Sequence, residues 1–120
     1  CFTVGETVFV TPEQGRNLCL PERRELNLIF SFEHMETDQW IVKWFKRRFH
    51  AGRLGRVLAR WQEALPWNAN YLENHDQPRS VSRFGDTDRY WVQSAKLLCV
   101  LLRLDTWCLV RSTPPAPRVL

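Results

Sequence analysis

The chain has 120 residues, of which 44% are hydrophobic and 25% are charged, and its formal net charge is +4. This composition is that of a globular domain, and it excludes disordered and fibrous proteins. The longest apolar run, residues 97–102, is far shorter than the roughly 20 residues that a bilayer span needs. The sequence therefore predicts no membrane segment.

The first half of the chain predicts two strands separated by a helix. Residues 2–4 have the character of a short buried strand that ends before Glu6. Residues 11–14, Thr-Pro-Glu-Gln, have the form of a helix start with a capping box. Residues 26–32 are rich in strand formers and lead to Glu33.

The second half predicts a helix, a third strand and a final helix. Apolar residues recur at helical spacing over residues 53–65, which indicates an amphipathic helix with its arginines facing solvent. Residues 69–72 are short and strand-like. A helix over residues 87–104 is apolar nearly all round, so we expect it to be largely buried, with Cys99 in the core.

Strands that alternate with helices argue for parallel strands joined by crossover helices. Acidic residues close each predicted strand: Glu6 the first, Glu33 the second and Asp76 the third. In parallel α/β barrels the active site lies at the carboxyl ends of the strands. We therefore expect these carboxylates to converge at one mouth.

Facing carboxylates suit the cleavage of glycosidic bonds, because one must protonate the leaving oxygen while others stabilise the cationic sugar. Three segments carry a more specific pattern: Thr-Val-Gly-Glu at 3–6, Glu-Leu-Asn-Leu-Ile-Phe-Ser-Phe-Glu-His-Met at 25–35, and Glu-Asn-His-Asp-Gln-Pro-Arg-Ser-Val-Ser-Arg-Phe-Gly-Asp at 73–86. In this order they resemble the α-amylase family (glycoside hydrolase family 13), within it the α-glucosidase branch. The resemblance runs from residue 2 to about residue 104.

The resemblance implies a (β/α)8 barrel, of which this chain would cover approximately strands 5 to 7, and a retaining mechanism. It implies that Glu6 is the general acid/base and that Asp76 stabilises the transition state, while His75 hydrogen-bonds the same sugar ring. Arg79 and Glu33 resemble positions near the subsites for the leaving group. The substrate would be a small α-glucoside or oligosaccharide. No organic cofactor is implied, and no ligand set for the structural calcium of some relatives is visible.

Residues 1–104 are therefore predicted to be a partial catalytic barrel, and residues 105–120 an irregular Pro-rich tail that departs from the family pattern. The family's nucleophile, an Asp in a Gly-Phe-Arg-x-Asp motif upstream of Glu6, has no counterpart here. The first residue is Cys1 rather than Met, so we expect the chain to be a piece of a larger protein. Without a nucleophile no glycosyl-enzyme forms, so the isolated chain is predicted to be inactive.

Alternative interpretations rest on other features. The basic stretch from Lys43 to Arg60, interleaved with aromatic residues, raises nucleic-acid binding, although the same arginines fit the solvated face of a helix. A third interpretation is a stand-alone interaction module or a decayed remnant of an enzyme, and the missing nucleophile and the unusual tail favour the remnant. Arg83 could hold its loop against the barrel. The four cysteines lack zinc-ligand spacing and mildly favour a reducing cytosol.

Overall fold

A computed structural model describes residues 1–40, 45–65 and 67–111, with side chains as far as residue 103. The fold is α/β, as predicted. Its elements are, in chain order, β1 (Val4–Thr7), α1 (Pro12–Leu18), β2 (Leu28–Ser31), a 3₁₀ turn (Glu33–Glu36), α2 (Ala51–Ala64), α3 (Ser80–Phe84) and α4 (Trp91–Arg111).

The two strands pair in parallel, and α1 forms the crossover between them, which confirms the predicted arrangement. The first strand begins later than predicted, at Val4 rather than at residue 2. The reason is that the Asn27 side chain binds Thr3: its Oδ1 accepts from the Thr3 backbone N–H at 2.8 Å. The ladder starts at Val4, after this junction, and runs to Thr7, so Glu6 lies within β1 and not after its end.

The third strand predicted over residues 69–72 is not formed; that prediction is wrong. A single backbone hydrogen bond joins this segment to β2, from the Ala69 N–H to the Ile29 carbonyl at 3.0 Å. Side chains provide the other contacts to β2 and to the turn that follows it. The Asn68 amide donates to Ser31 Oγ at 3.1 Å, and the Tyr71 carbonyl accepts a hydrogen bond from the His34 side chain.

The first core cluster lies between β2, α1 and α2. Thr11 caps α1, and its reciprocal bonds with Gln14 form the predicted capping box. The helical spacing predicted from residue 53 is confirmed in α2, whose apolar side chains turn inward. The cluster consists of Cys19, Ile29, Trp61 and Leu65, with Leu26 and Val57 packed against it.

The second core cluster joins the turn after β2 to α3 and α4, and consists of Met35, Leu72, Phe84 and Leu98. The prediction that the last helix is largely buried is wrong for the described residues. Leu97 is 69% exposed and Val100 51%, and Cys99 is exposed rather than in the core. The physical reason is that the described elements cover only the stripe of α4 that contains Leu98.

The predicted irregular tail also needs a correction. Helix α4 continues to Arg111, so residues 105–111 are helical. Residues 105–111 contain no proline or glycine, so the sequence permits the helix to continue as far as this. The rest of the predicted tail, residues 112–120, lies outside the described residues.

A buried histidine ties the 3₁₀ turn to the segment after α2. His34 is fully buried, and its Nε2–H donates to the Tyr71 carbonyl at 2.6 Å. Burial lowers the pKa of His34 to about 4, an effect that the positive charge of Arg83 reinforces and the Tyr71 carbonyl opposes. The imidazole is therefore neutral at pH 7.

We expect Gly15→Ala, in α1, to lower the free energy of unfolding. A methyl group at this position would lie 2.7 Å from Ile29 Cδ1 and 3.0 Å from Trp61 Cζ3, and both side chains are fully buried in the first core cluster. Overpacking costs about 1–3 kcal/mol, which outweighs the gain in helix propensity of about 1 kcal/mol. Chemical denaturation followed by circular dichroism measures the difference.

The matched control for this substitution is Gly55→Ala in α2. A methyl group at Gly55 meets no atom within 4 Å. The control should therefore raise the free energy of unfolding by up to about 1 kcal/mol. A Gly15→Ala variant as stable as the Gly55→Ala variant would contradict the packing of α1 described above.

We expect the chain to lose stability in acid through His34. The folded state holds its pKa at about 4, below the ordinary 6.5, so the folded chain binds fewer protons than the unfolded chain between these values. This contribution is complete above pH 6.5 and is lost as the pH falls towards 4. Between pH 7 and pH 4.5 it amounts to about 2 kcal/mol.

Urea denaturation at both pH values tests this expectation. A His34→Gln variant keeps an amide donor but cannot titrate, so its loss of stability should be smaller than that of the unsubstituted chain by this amount. His75→Gln, at an exposed position, should behave like the unsubstituted chain. Equal acid sensitivity of the His34 variant and the unsubstituted chain would refute the assignment.

Candidate functional site

A cleft of about 380 Å³ opens beside β1 and β2, and it brings together two of the residues singled out by the sequence. Glu6 and His75 both line it. The other lining residues are Phe30, Tyr71, Glu73 and Asn74. The cleft therefore joins the strand pair to the segment that carries Asn-His-Asp.

Strand register places Glu6 at the cleft. Glu6 pairs with Phe30 across the parallel ladder, so the two side chains lie on the same face of the sheet. Glu6 is exposed, and so is part of the Phe30 ring. The carboxylate is thus held by a rigid element and is open to a molecule in the cleft.

His75 and Asp76 lie on the loop before α3, residues 73–79 (the 73–79 loop). Asn74 shapes it: its Oδ1 accepts from the Asp76 N–H at 2.9 Å, and its carbonyl accepts from the Gln77 N–H at 3.2 Å. His75 Nε2 lies 3.4 Å from Asp76 Oδ2. Both side chains are largely exposed, and Asp76 is next to the cleft residue His75 without itself lining the cleft.

Arg79 closes the same loop through Glu73. Its guanidinium donates to Glu73 Oε1 at 2.8 Å, and the Ser80 N–H donates to Glu73 Oε2 at 2.7 Å. The Ser80 amide, followed by the Arg79 guanidinium, lowers the pKa of Glu73. Arg79 does not line the cleft, so the structure shows it as an anchor for Glu73.

Glu33 is directed away from the cleft, towards α2. Its carboxylate accepts a hydrogen bond from Trp61 Nε1–H at 2.9 Å and forms an ion pair with Arg60. The convergence of three strand-end carboxylates at one mouth is therefore not seen for Glu33. Its observed partners lie on the helix that covers the sheet, because the 3₁₀ turn directs residue 33 to that side.

Tyr71 is a cleft residue that lies outside the three segments that carry the family resemblance. Three aromatic rings surround its ring in edge-on contact, at centroid distances of 4.9–5.7 Å: Phe30, Phe32 and His34. Its hydroxyl is buried and has no hydrogen-bond partner among the described residues. Burial, with a smaller contribution from the charge of Glu6, raises the pKa of Tyr71 to about 12. Its place immediately before Glu-Asn-His-Asp is the signal that could have identified it.

The basic stretch binds acceptors of its own chain: Lys46 to Asp38, Arg53 to the Thr37 carbonyl and Arg60 to Glu33. Trp61, one of the aromatic residues interleaved with it, is buried in the first core cluster. A phosphate backbone would have to compete with these contacts. Lys43, at which the stretch begins, lies outside the described residues.

The cleft thus offers an exposed carboxylate on a strand, an imidazole on a loop and an aromatic wall. This combination can bind a polar molecule against the rings and exchange a proton with it. Within the described residues no group of three or more His, Cys, Asp or Glu side chains is placed to hold a metal ion. No described helix combines the length and the apolar character needed to cross a membrane.

Known proteins are similar to this chain in sequence and in fold. The family model of the alpha-amylase catalytic domain matches residues 1–108. The oligo-1,6-glucosidase of Parageobacillus thermoglucosidasius is 48% identical over 106 residues, which are 85% of this chain and 19% of that enzyme. The oligo-1,6-glucosidase of Heyndrickxia coagulans is 42% identical over 109 residues, 85% of this chain and 20% of that enzyme.

A solved structure has a similar fold. The trehalose-6-phosphate hydrolase of Bacillus licheniformis superimposes with a TM-score of 0.81 at 37% identity, covering 86% of this chain and 20% of that enzyme. The chain thus spans about a fifth of the length of the relatives it matches. The family model of the alpha-amylase catalytic domain covers most of this chain, and oligo-1,6-glucosidases are among the chain's relatives. This chain therefore belongs to the α-glucosidase branch of the α-amylase family, glycoside hydrolase family 13.

Proposed function

We propose that this chain is the part of a retaining α-glucosidase that spans approximately strands 5 to 7 of its (β/α)8 barrel. The whole enzyme would cleave terminal α-glucosidic bonds of short oligosaccharides in the cytoplasm. The observation that carries the proposal is that Glu6 and His75, far apart in sequence, line one cleft. Hydrolases of such substrates among the relatives support the same reaction class.

Glu6 is proposed as the general acid/base. Cleavage of a glycosidic bond requires a carboxylic acid that protonates the leaving oxygen and then, as a carboxylate, takes a proton from water. Glu6 suits this role because it is exposed to the cleft from a strand whose ladder fixes its backbone. The aromatic rings beside it provide a surface on which a sugar can stack.

Asp76 and His75 are proposed to bind the same sugar ring. A carboxylate close to the anomeric centre stabilises the positive charge that develops there, and an imidazole can donate a hydrogen bond to a sugar hydroxyl. Their adjacency on the 73–79 loop supports a joint role. The predicted roles of Arg79 and Glu33 near the leaving-group subsites carry less support, since neither side chain lines the cleft.

The catalytic nucleophile is proposed to come from a part of the barrel outside this sequence. We expect no turnover of a chromogenic α-glucoside by the isolated 120-residue chain, because a retaining reaction needs the covalent glycosyl-enzyme that the nucleophile forms. The measurement is release of the chromophore by purified chain, with Glu6→Gln as the control. Turnover that disappears in this variant would contradict the expectation.

A chimeric enzyme tests the assignment of Glu6 directly. The 106 aligned residues of this chain would replace their counterparts in the oligo-1,6-glucosidase of P. thermoglucosidasius. We expect the chimera to hydrolyse the chromogenic substrate, and Glu6→Gln to lower kcat about 10²–10⁴-fold by removing the acid/base. Glu22→Gln, at an exposed carboxylate outside the cleft, serves as the matched control and should leave kcat unchanged.

The outcomes separate the two interpretations of this chain. An active chimera that needs Glu6 supports a working segment of an α-glucosidase. A folded but inactive chimera would favour the decayed remnant. Activity that survives Glu6→Gln would refute the acid/base role.

A further inference from the structure

Arg83 donates four hydrogen bonds from a buried side chain, and the proposed chemistry does not use it. Its side chain is 3% exposed. Nε and Nη2 donate to the two carboxylate oxygens of Asp38, at 2.9 and 2.7 Å. Nη2 also donates to the Met35 carbonyl, and Nη1 donates to Gln77 Oε1 at 2.5 Å.

These contacts connect three parts of the fold that are distant in sequence. Arg83 belongs to α3, directly after the 73–79 loop, while Asp38 follows the 3₁₀ turn that ends β2. Gln77 belongs to the loop itself. A continuous path of bonded groups therefore runs from β2 through the turn to Arg83 and into the loop.

The Asp38 carboxylate is itself held in place. It is 7% exposed and also accepts a hydrogen bond from Lys46 Nζ at 3.2 Å. Burial alone would raise its pKa, but the bonds and charges of Arg83 and Lys46 outweigh this and lower it. The pair is thus ionised, and its bidentate geometry fixes the orientation of both partners as well as their distance.

The loop has few other connections to the sheet. Bonds within the loop come from Asn74, and Glu73 binds Arg79 and Ser80. These are all local contacts, and the side chains of His75 and Asp76 are exposed. The distance of these side chains from β1 therefore depends on what holds the loop from outside.

We propose that the buried Asp38–Arg83 pair positions the 73–79 loop against the sheet. The inference rests on the proposed function, since it makes both residues positioning residues for a reaction in which Asp76 and Glu6 act on one sugar. Neither member of the pair touches the cleft. They act through Gln77 and the turn, and so they set the separation of the two carboxylates.

Hydrogen exchange of the full 120-residue chain tests the structural half of the proposal. Asp38→Asn removes the charge that Arg83 binds, and Arg83→Met leaves the Asp38 carboxylate buried without this partner. Each substitution should accelerate exchange of the Asp76 and Gln77 amides by about tenfold or more. The Ile29 amide, in β2, should change by less than about threefold. An equal change at all three amides, or none in the loop, would overturn the proposal.

A double-substitution cycle separates a shared role from two independent ones. Because each single substitution already breaks the pair, Asp38→Asn with Arg83→Met should accelerate loop exchange no more than the stronger single change. Multiplying effects would contradict a common role. Glu25→Gln, which breaks the exposed ion pair with Arg23, is the matched control and should change loop exchange by less than about twofold.

The chimera described above tests the catalytic half, and it decides the matter if a variant of the isolated chain does not fold. Misplacement of the transition-state carboxylate should lower kcat about tenfold or more and change KM by less than about threefold. Unchanged kcat in the Asp38→Asn chimera would overturn the proposal. Failure of the proposed function gives a different result, activity that survives Glu6→Gln.

Discussion

Parallel pairing of β1 with β2 is the constraint on which the site depends. Strands that run in the same direction end at the same edge, so the segments that follow them emerge side by side. The Thr3–Asn27 junction fixes where the ladder starts, and this sets Glu6 opposite Phe30. A shift of the register by one residue would turn the Glu6 side chain to the other face of the sheet. The position of the proposed acid is therefore decided by backbone pairing and not by any contact of its carboxylate.

Polar side chains take the place that a third strand would have in this sheet. The segment after α2 docks through Asn68 on Ser31 and through His34 on the Tyr71 carbonyl, in addition to one backbone bond to β2. The Asn68–Ser31 bond is buried and the His34–Tyr71 bond is partly buried. An unpaired polar group is costly in such surroundings, so these bonds carry more weight than bonds at the surface. The aromatic wall of the cleft is attached to the same histidine, because the Tyr71 ring packs on His34. A change that detaches this segment from His34 would consequently also disrupt the cleft.

The sequence predicted best what is decided by near neighbours. Helical spacing located α2, and the Thr11–Gln14 box located the start of α1, since both patterns are read within a few residues. The predictions of a third strand and of a buried α4 failed because both features depend on which distant surface is present to pair with a segment or to cover it. In the site, the resemblance selected Glu6 and His75, which share the cleft. Tyr71 and Asp38 escaped notice because their environments are made by residues far along the chain, such as Arg83, 45 positions from Asp38.

The exposed face of α4 shows that the described residues do not provide all the apolar contacts that this helix could make. Burying a side chain such as Leu97 or Val100 contributes about 1.5–3 kcal/mol, and the described elements leave this contribution unused. The cleft differs, because contacts among the described residues place its walls: strand register sets Glu6 opposite Phe30, and His34 binds the Tyr71 carbonyl. The geometry of the cleft is thus determined within this segment, whereas the stability of α4 depends on what covers its exposed face. The proposed chemistry divides in the same way: the proposed acid, Glu6, lies on a strand that is placed by pairing among the described residues, and the nucleophile is proposed to come from another part of the barrel.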